Sequence, residues 1–331
     1  MQSRVKLTIR FCFLAHRFFI GLLLLTACNF PTATPEATPP FPTLAATETP
    51  APSPTPDQPV GKIVYTCQVT RLEGENQLCL INADGSGQRQ LTFNTGADHF
   101  YASFAPDGGS IVFSSNQTGM YEIYEMDLAG SRRQLTDSGG AYAPAISPDG
   151  ALIIYSYNPE DDLRNSSLWL MDRDGGNRYP IAQLAGGAWD ATWSPDGTQI
   201  LFASYVGENA QMFIMNTDGS NVRQVTSLEG LRGRNDWSAD GVTLSTYIGA
   251  PWNREIIAFN TDGSNVRYLT DGGNNLAPSF SPDGAWIAFT SYRDRYLDDH
   301  GCEIYVMRAD GGDVRRLTDN DYCDWQPRWG K

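Results

Sequence analysis

The sequence is short of the residues that many enzymes work with. Histidine occurs three times in 331 residues, at His16, His99 and His300. Only His99 and His300 lie beyond the amino-terminal segment, so a three-histidine metal centre is excluded. No Gly-x-Ser-x-Gly elbow occurs, which removes the nucleophile turn of an α/β-hydrolase. The Cys-x-x-Cys spacing of zinc modules is also missing. The apolar run from Phe18 to Leu25 is too short to span a bilayer, which takes about 20 residues. Positive charge is scarce: 24 Lys and Arg stand against 38 Asp and Glu, for a net charge of −14. That balance argues against nucleic acid and against electrostatic attraction to anionic lipid. Neither catalysis nor a cofactor is signalled, although a ring of loops can still bring two carboxylates such as Asp190 and Asp324 together.

What is abundant is repetition. A turn of the form Asp-Gly-Ser, or a near variant, recurs with glycines at 85, 130, 175, 219, 263 and 311, spaced 45, 45, 44, 44 and 48 residues apart. Each is followed a few residues later by Leu-Thr or a close variant. A second series, Ser-Pro-Asp-Gly or a relative, interleaves at Asp107, Asp149, Asp196, Asp240 and Asp283. A period near 44 with several short strands per unit is the signature of a β-propeller. One period reads as four strands. Pro278 to Phe280 ends at the turn Ser281 to Gly284, and Trp286 to Thr290 alternates apolar and small residues. Glu303 to Met307 precedes Asp310-Gly311-Gly312, and Val314 to Leu317 is the outermost strand. In such turns Pro and Asp favour the opening, and Gly supplies the positive φ that closes.

The ends fit an all-β, six-bladed propeller of four-stranded blades. The repeat region opens at Gly61 to Tyr65, which matches the second strand of a blade, and closes with Gln326 to Trp329, which matches the innermost strand. The carboxy-terminal strand is therefore expected to complete the first blade and leave no open edge in the ring.

Residues 1–27 read as a secretory signal, with Arg4, Lys6, Arg10 and Arg17 ahead of the apolar run. Leu25-Thr26-Ala27-Cys28 resembles the lipobox of bacterial lipoproteins. The resemblance implies cleavage before Cys28, its lipidation and lasting membrane attachment through more than one acyl chain. Loss of the four cations would carry the net charge to −18. Residues 28–59 combine the lipid-bearing cysteine with a stalk. Ten prolines among Thr and Ala favour extended polyproline II structure, and at about 3.1 Å per residue it reaches up to roughly 100 Å.

Residues 60–331 resemble the TolB propeller, on segments such as Phe280-Ser281-Pro282-Asp283-Gly284-Ala285-Trp286 and Ile304-Tyr305-Val306-Met307-Arg308-Ala309-Asp310-Gly311. The resemblance implies an extracytoplasmic propeller that binds other molecules. TolB carries an α/β domain before its propeller, and the stalk stands in that place here, so TolB's part in the Tol–Pal envelope system does not transfer directly. The four cysteines of residues 60–331 permit three pairings. Strand positions favour Cys67–Cys79 with Cys302–Cys323, and an extracytoplasmic address makes disulfides feasible; free buried thiols are the alternative.

In a blade of alternating strands, the connections between blades share one face with the loops between second and third strands. The repeated turns occupy the other. Function is expected where the repeat breaks down. The aligned blade entries place His99, Tyr101, Trp189, Asp190, Arg232, Arg234, Asp324 and Trp325 around a mouth, with Phe100 and Tyr142, and Arg328 and Asp236 fall on innermost strands toward the channel. Aromatic platforms with a few arginines suit peptides, carboxylates or sugars; packing between blades is the bland reading. The loops Asn158 to Ser167 and Tyr292 to Gly301 are long enough to overhang the mouth. Together these features describe a monomeric, lipid-anchored module on the outer side of a bacterial membrane that binds or scaffolds envelope proteins or peptides. The alternative is a glycan-binding or glycan-cleaving enzyme or sensor using the same mouth.

Overall fold

The computed structural model describes residues 58–71, 75–94 and 96–331. The signal segment, Cys28 and the stalk up to residue 57 lie outside the described residues. The described chain forms six four-stranded antiparallel sheets arranged as blades. Blade 1 is closed as expected: the carboxy-terminal strand Asp324–Gly330 pairs antiparallel with Lys62–Gln68, placing Trp329 opposite Ile63. Blades 2 to 6 each use four consecutive strands.

The two repeated motifs are turns held by their own side chains. In Ser281 to Trp286 the Ser281 hydroxyl accepts the Trp286 amide at 2.9 Å, and the Asp283 carboxylate accepts the Ala285 amide at 3.0 Å. Ser147/Asp149 and Ser194/Asp196 repeat the arrangement. In the other series the Asp carboxylate accepts the amide two residues on, as Asp262 does from Ser264 at 2.9 Å. The hydroxyls of Ser86, Ser194, Ser220 and Ser264, and then these amides, hold the Asp84, Asp196, Asp218 and Asp262 carboxyls below their ordinary range. In blades 3 to 6 the turn glycine also seats the blade on its predecessor. A Cβ on Gly263 would stand 2.1 Å from the Val225 carbonyl oxygen, and one on Gly219 would stand 2.4 Å from that of Ile181. Both glycines have φ of +82°, a region that other residues enter only at a cost.

The core is divided among the blade interfaces. Six apolar clusters each join two neighbouring blades. The cluster between the last blade and the first gathers Ile63, Tyr65, Trp286, Val306 and Trp329. Two disulfides reinforce that junction. Cys67–Cys79 ties the second and third strands of blade 1, with Cα atoms 5.8 Å apart. Cys302–Cys323 ties the last blade to the residue just before the closing strand, with Cα atoms 4.5 Å apart. Cys67 pairs across the sheet with Asp324, so the two bridges flank the start of the closing strand.

Candidate functional site

A cavity of about 540 Å³ opens on the face opposite the repeated turns, lined by residues of blades 2 to 5. Its shape follows from one recurrent irregularity. In blades 2, 3, 4 and 6 and in the closing strand, the second or third residue of the innermost strand lies in the left-handed region: Tyr101, Ala143, Asp190, Ala277 and Gln326, with φ between +48° and +56°. A bulge sits there in each case. The extra residue turns those side chains toward the channel, and each non-glycine residue so held costs about 1–3 kcal/mol. Blade 5 departs from the pattern. Its innermost strand is reduced to Asp236–Trp237, and the preceding segment touches its neighbour through one isolated bridge, Leu231 to Ile248. Arg232, Gly233 and Arg234 fall in that opened stretch.

Tyr101 and Asp190 line the cavity floor, with Tyr247 beside them. The Arg234 guanidinium lies 5.1 Å from the centre of the Tyr101 ring. Only 6% of Arg234 is exposed, and its Nε and Nη2 are buried without a hydrogen-bond partner. Leaving such donors unmet costs about 1–3 kcal/mol, more for a charged group. Burial and the charge of Arg328 bring the Arg234 guanidinium down to about 10. Burial likewise pushes the Asp190 carboxyl up, against the pull of Arg234 and Arg328. Asp190 and Arg234 form no ion pair within 4 Å, unlike Asp236 and Arg328, which do so at 2.9 Å.

Beneath this floor the channel is plugged. Asn235 donates to the Asp190 carbonyl at 2.7 Å and accepts the Thr192 hydroxyl at 2.6 Å. Asp236 accepts the Phe280 amide at 2.7 Å and the Ser279 hydroxyl at 3.0 Å. Arg328 reaches the Asn235 carbonyl as well and lines a second cavity, of about 410 Å³, on the turn face. Arg328 is thus part of the plug.

Aromatic rings form the rim. Trp189 and Tyr205 lie 4.7 Å apart, with the Arg164 guanidinium 4.4 Å over Tyr205. Trp325, Phe100, Tyr121 and Tyr142 run edge to edge at 5.8, 6.0 and 4.9 Å. Arg232 lines the cavity with its guanidinium bonded to the Gly249 carbonyl. Asp161, Glu208 and Asp190 make the side formed by blades 3 and 4 acidic.

Of the residues placed at the mouth by alignment, His99, Arg234, Asp324 and Trp325 do not line the cavity. His99 is fully buried, edge-on to Phe113 at 5.6 Å, with neither ring nitrogen partnered. Asp324 is 1% exposed and accepts from Asn320 at 2.8 Å. Both are the first residue of an innermost strand, and strand alternation sends that position inward, away from the cavity. Of the two long loops, Asn158 to Ser166 borders the mouth, whereas Arg293 and Tyr296 border a groove at the outer edge of blades 5 and 6. Alignment of blade entries also passed over Tyr121, Tyr205 and Tyr247, which lie outside the innermost strands. For Tyr205 and Tyr247 the signal was the recurrence of tyrosine at or near second-strand ends, at Tyr157, Tyr205, Tyr247 and Tyr292.

A family model described as the TolB β-propeller domain matches residues 45–165 and 136–297. The chain belongs to the TolB β-propeller family. This TolB-family chain is similar in structure to TolB of Acinetobacter baumannii, with a TM-score of 0.70 and 22% identity over 82% of this chain and 66% of that one. It is also similar to a putative TolB of Agrobacterium tumefaciens, with a TM-score of 0.62 and 24% identity over 80% and 91%. In sequence it is 27% identical over 231 residues to an uncharacterised protein of Agrobacterium fabrum, covering 68% of this chain and 60% of the relative. An uncharacterised peptidase of Bacillus subtilis is 27% identical over 113 residues, which is 32% of this chain and 17% of the peptidase. The chain therefore spans less than two thirds of either curated relative.

Proposed function

We propose that this propeller is a binding module of the cell envelope that holds a protein or peptide segment in the mouth. It is carried on the outer side of a bacterial membrane by a lipid on Cys28, with residues 28–59 as the stalk. The observation that carries the reading is the cavity itself. It is wide, lined by the rings of Trp189, Tyr205 and Tyr142 and by the charged groups of Asp190, Asp161, Glu208 and Arg232. Aromatic walls with a few convergent polar groups are what a binding pocket of this size offers. The two disulfides fit an oxidising, extracytoplasmic compartment. A glycan-cleaving reading has less support, since Asp190 and Asp324 do not share a cavity.

Crosslinking to envelope extracts of the source organism tests the reading, with Tyr205→Ala and Arg232→Ala against the turn-face control Asp218→Ala. Loss of one protein partner in the first two variants and its retention in the third is the expected result. Equal capture by all of them would refute a mouth-bound partner. Cys28→Ser should release the protein to the soluble fraction, and continued membrane association would refute the anchor.

A further inference from the structure

We infer that the mouth of this propeller binds its peptide ligand through a cationic group, an amino terminus or a Lys or Arg side chain, seated among the aromatic rings on the Asp190 carboxylate. The inference rests on the binding-module reading and adds the chemistry of what is bound. Asp161, Asp190 and Glu208 line the cavity against one lining cation, Arg232, whose guanidinium already donates to the Gly249 carbonyl. Asp190 bonds through its backbone, to Ser156 and Asn235. Its half-buried carboxylate receives no hydrogen bond and no ion pair within 4 Å among the described residues. Such a carboxylate is a seat for a charged donor, because a charge-assisted bond supplies what burial has taken away. Gly233 lines the cavity as well, and a Cβ there would stand 2.9 Å from Asp190 Oδ2. Any larger residue at that position would crowd the carboxylate. Ser166 lies in the wall of the same cavity, 1% exposed, and its hydroxyl also lacks a partner.

The rings select an organic cation over a metal ion. Tyr101, Tyr142, Trp189, Tyr205 and Tyr247 line the cavity, and aromatic faces attract ammonium and guanidinium groups. Two of these rings already carry a guanidinium of the chain itself. Arg164 lies 4.4 Å over Tyr205, and Arg234 lies 5.1 Å from the centre of Tyr101. Among the described residues no three His, Cys, Asp or Glu side chains converge as the ligands of a metal ion do. The exposed Asp161 and Glu208 add attraction at the rim, and the net charge of the chain has the same sign. Those charges disfavour an anionic ligand in the same place.

The experiment passes three tetrapeptide pools, all amidated at the carboxy end, over the immobilised full chain. The first has free amino termini and no Lys or Arg. The second is acetylated at the amino end and carries one Lys or Arg, and the third replaces that residue by acetyl-lysine or citrulline. Retained peptides are identified by mass spectrometry and their affinities measured by calorimetry. Retention of the first or second pool over the third by about 10-fold or more, as expected for a charged hydrogen bond, supports the inference. Which of the two is retained places the cation on the chain terminus or on a side chain. Asp190→Asn should then erase the preference. Asp161→Asn/Glu208→Gln changes only exposed carboxylates, so it tests the same charge without touching the floor, and it should weaken the preference a few-fold. Equal retention of charged and neutral pools, or a preference that survives Asp190→Asn, would overturn the cation while leaving a binding mouth intact. Retention of no pool also overturns it. The envelope crosslinking then reports separately whether the mouth binds a partner at all.

Discussion

Thr318 donates its hydroxyl to the buried Glu303 carboxylate over 2.6 Å and accepts the Ile304 amide at 2.9 Å. Asn320 donates its own amide to the other Glu303 oxygen at 2.9 Å. Thr136 with Glu122, Thr270 with Glu255 and Thr226 with Gln211 repeat the latch, so the Leu-Thr of the sequence repeat fastens the blade exit to the start of the third strand. Blade 3, with Ala182 at this position, departs from it. Thr318→Val keeps the shape but takes one donor from the Glu303 carboxylate, which keeps Asn320 and Arg316, and leaves the Ile304 amide unmet. Each unmet group costs about 1–3 kcal/mol, and urea unfolding should show a loss in that range. An unchanged midpoint would mean that the latch does not stabilise the blade.

Propeller class, blade count and ring closure were legible in the sequence, because each follows from local turn chemistry repeated at a fixed interval; the disulfide pairing was only favoured there, from strand positions, with free thiols left as the alternative, and the structure shows both favoured bridges. The candidate mouth was legible only in part. Trp189, Asp190 and Arg232 do line one cavity. His99 and Asp324 share an alignment column with Arg232, yet they turn inward while Arg232 borders the cavity, because blade 5 loses most of its innermost strand. A column of aligned residues carries no information about a strand that fails to form. The carboxylate partners of Leu-Thr were equally hidden, since Glu303 precedes Thr318 by 15 residues and meets it only in the folded sheet.

His99 makes the fold sensitive to mild acid. Burial brings its imidazole down to about 4 from 6.5. Above pH 6.5 the ring is neutral in both states and contributes nothing to the pH dependence. As pH falls from 6.5 to 4 the unfolded chain takes up a proton that the folded chain refuses, so stability is lost on acidification. The shift corresponds to about 3 kcal/mol at most. His99→Leu keeps an apolar side chain of similar size against Phe113. Its stability relative to the parent, measured by urea unfolding, should rise as pH falls from 6.5 to 4, and a parent–variant difference that stays constant over that window would contradict the assignment.

Asp324 works in the opposite sense over nearly the same window. Burial, with the Glu303 charge beside it, pushes its carboxyl up to about 7 from 3.8. The folded chain therefore holds a proton that the unfolded chain has released, and stability is lost as pH rises from about 4 to 7. The contributions of His99 and Asp324 offset each other in the parent chain, which should show only a shallow dependence over this interval. Asp324→Asn should unmask the histidine and lose stability steeply on acidification; His99→Leu should instead gain stability as pH falls. Parallel profiles for the two variants would exclude this pairing of opposed groups.

The disulfides should matter most at the ring closure. Cys67–Cys79 and Cys302–Cys323 close loops with sequence separations of 12 and 21. The chain-entropy relation gives about 3 kcal/mol for loops of that length. Cys302 and Cys323 are also the covalent tie nearest the start of the closing strand, so their replacement by alanine acts on the one blade assembled from both ends of the described chain. Cys302→Ala/Cys323→Ala should lower stability by about 3 kcal/mol, and limited proteolysis should then cut first between Asp319 and Tyr322. The loss for Cys67→Ala/Cys79→Ala should be comparable but without early cleavage there, because that bridge lies within a continuous hairpin. Early cleavage at the same site in both variants would show that the closing strand is held by the blade as a whole and not by the bridge beside it.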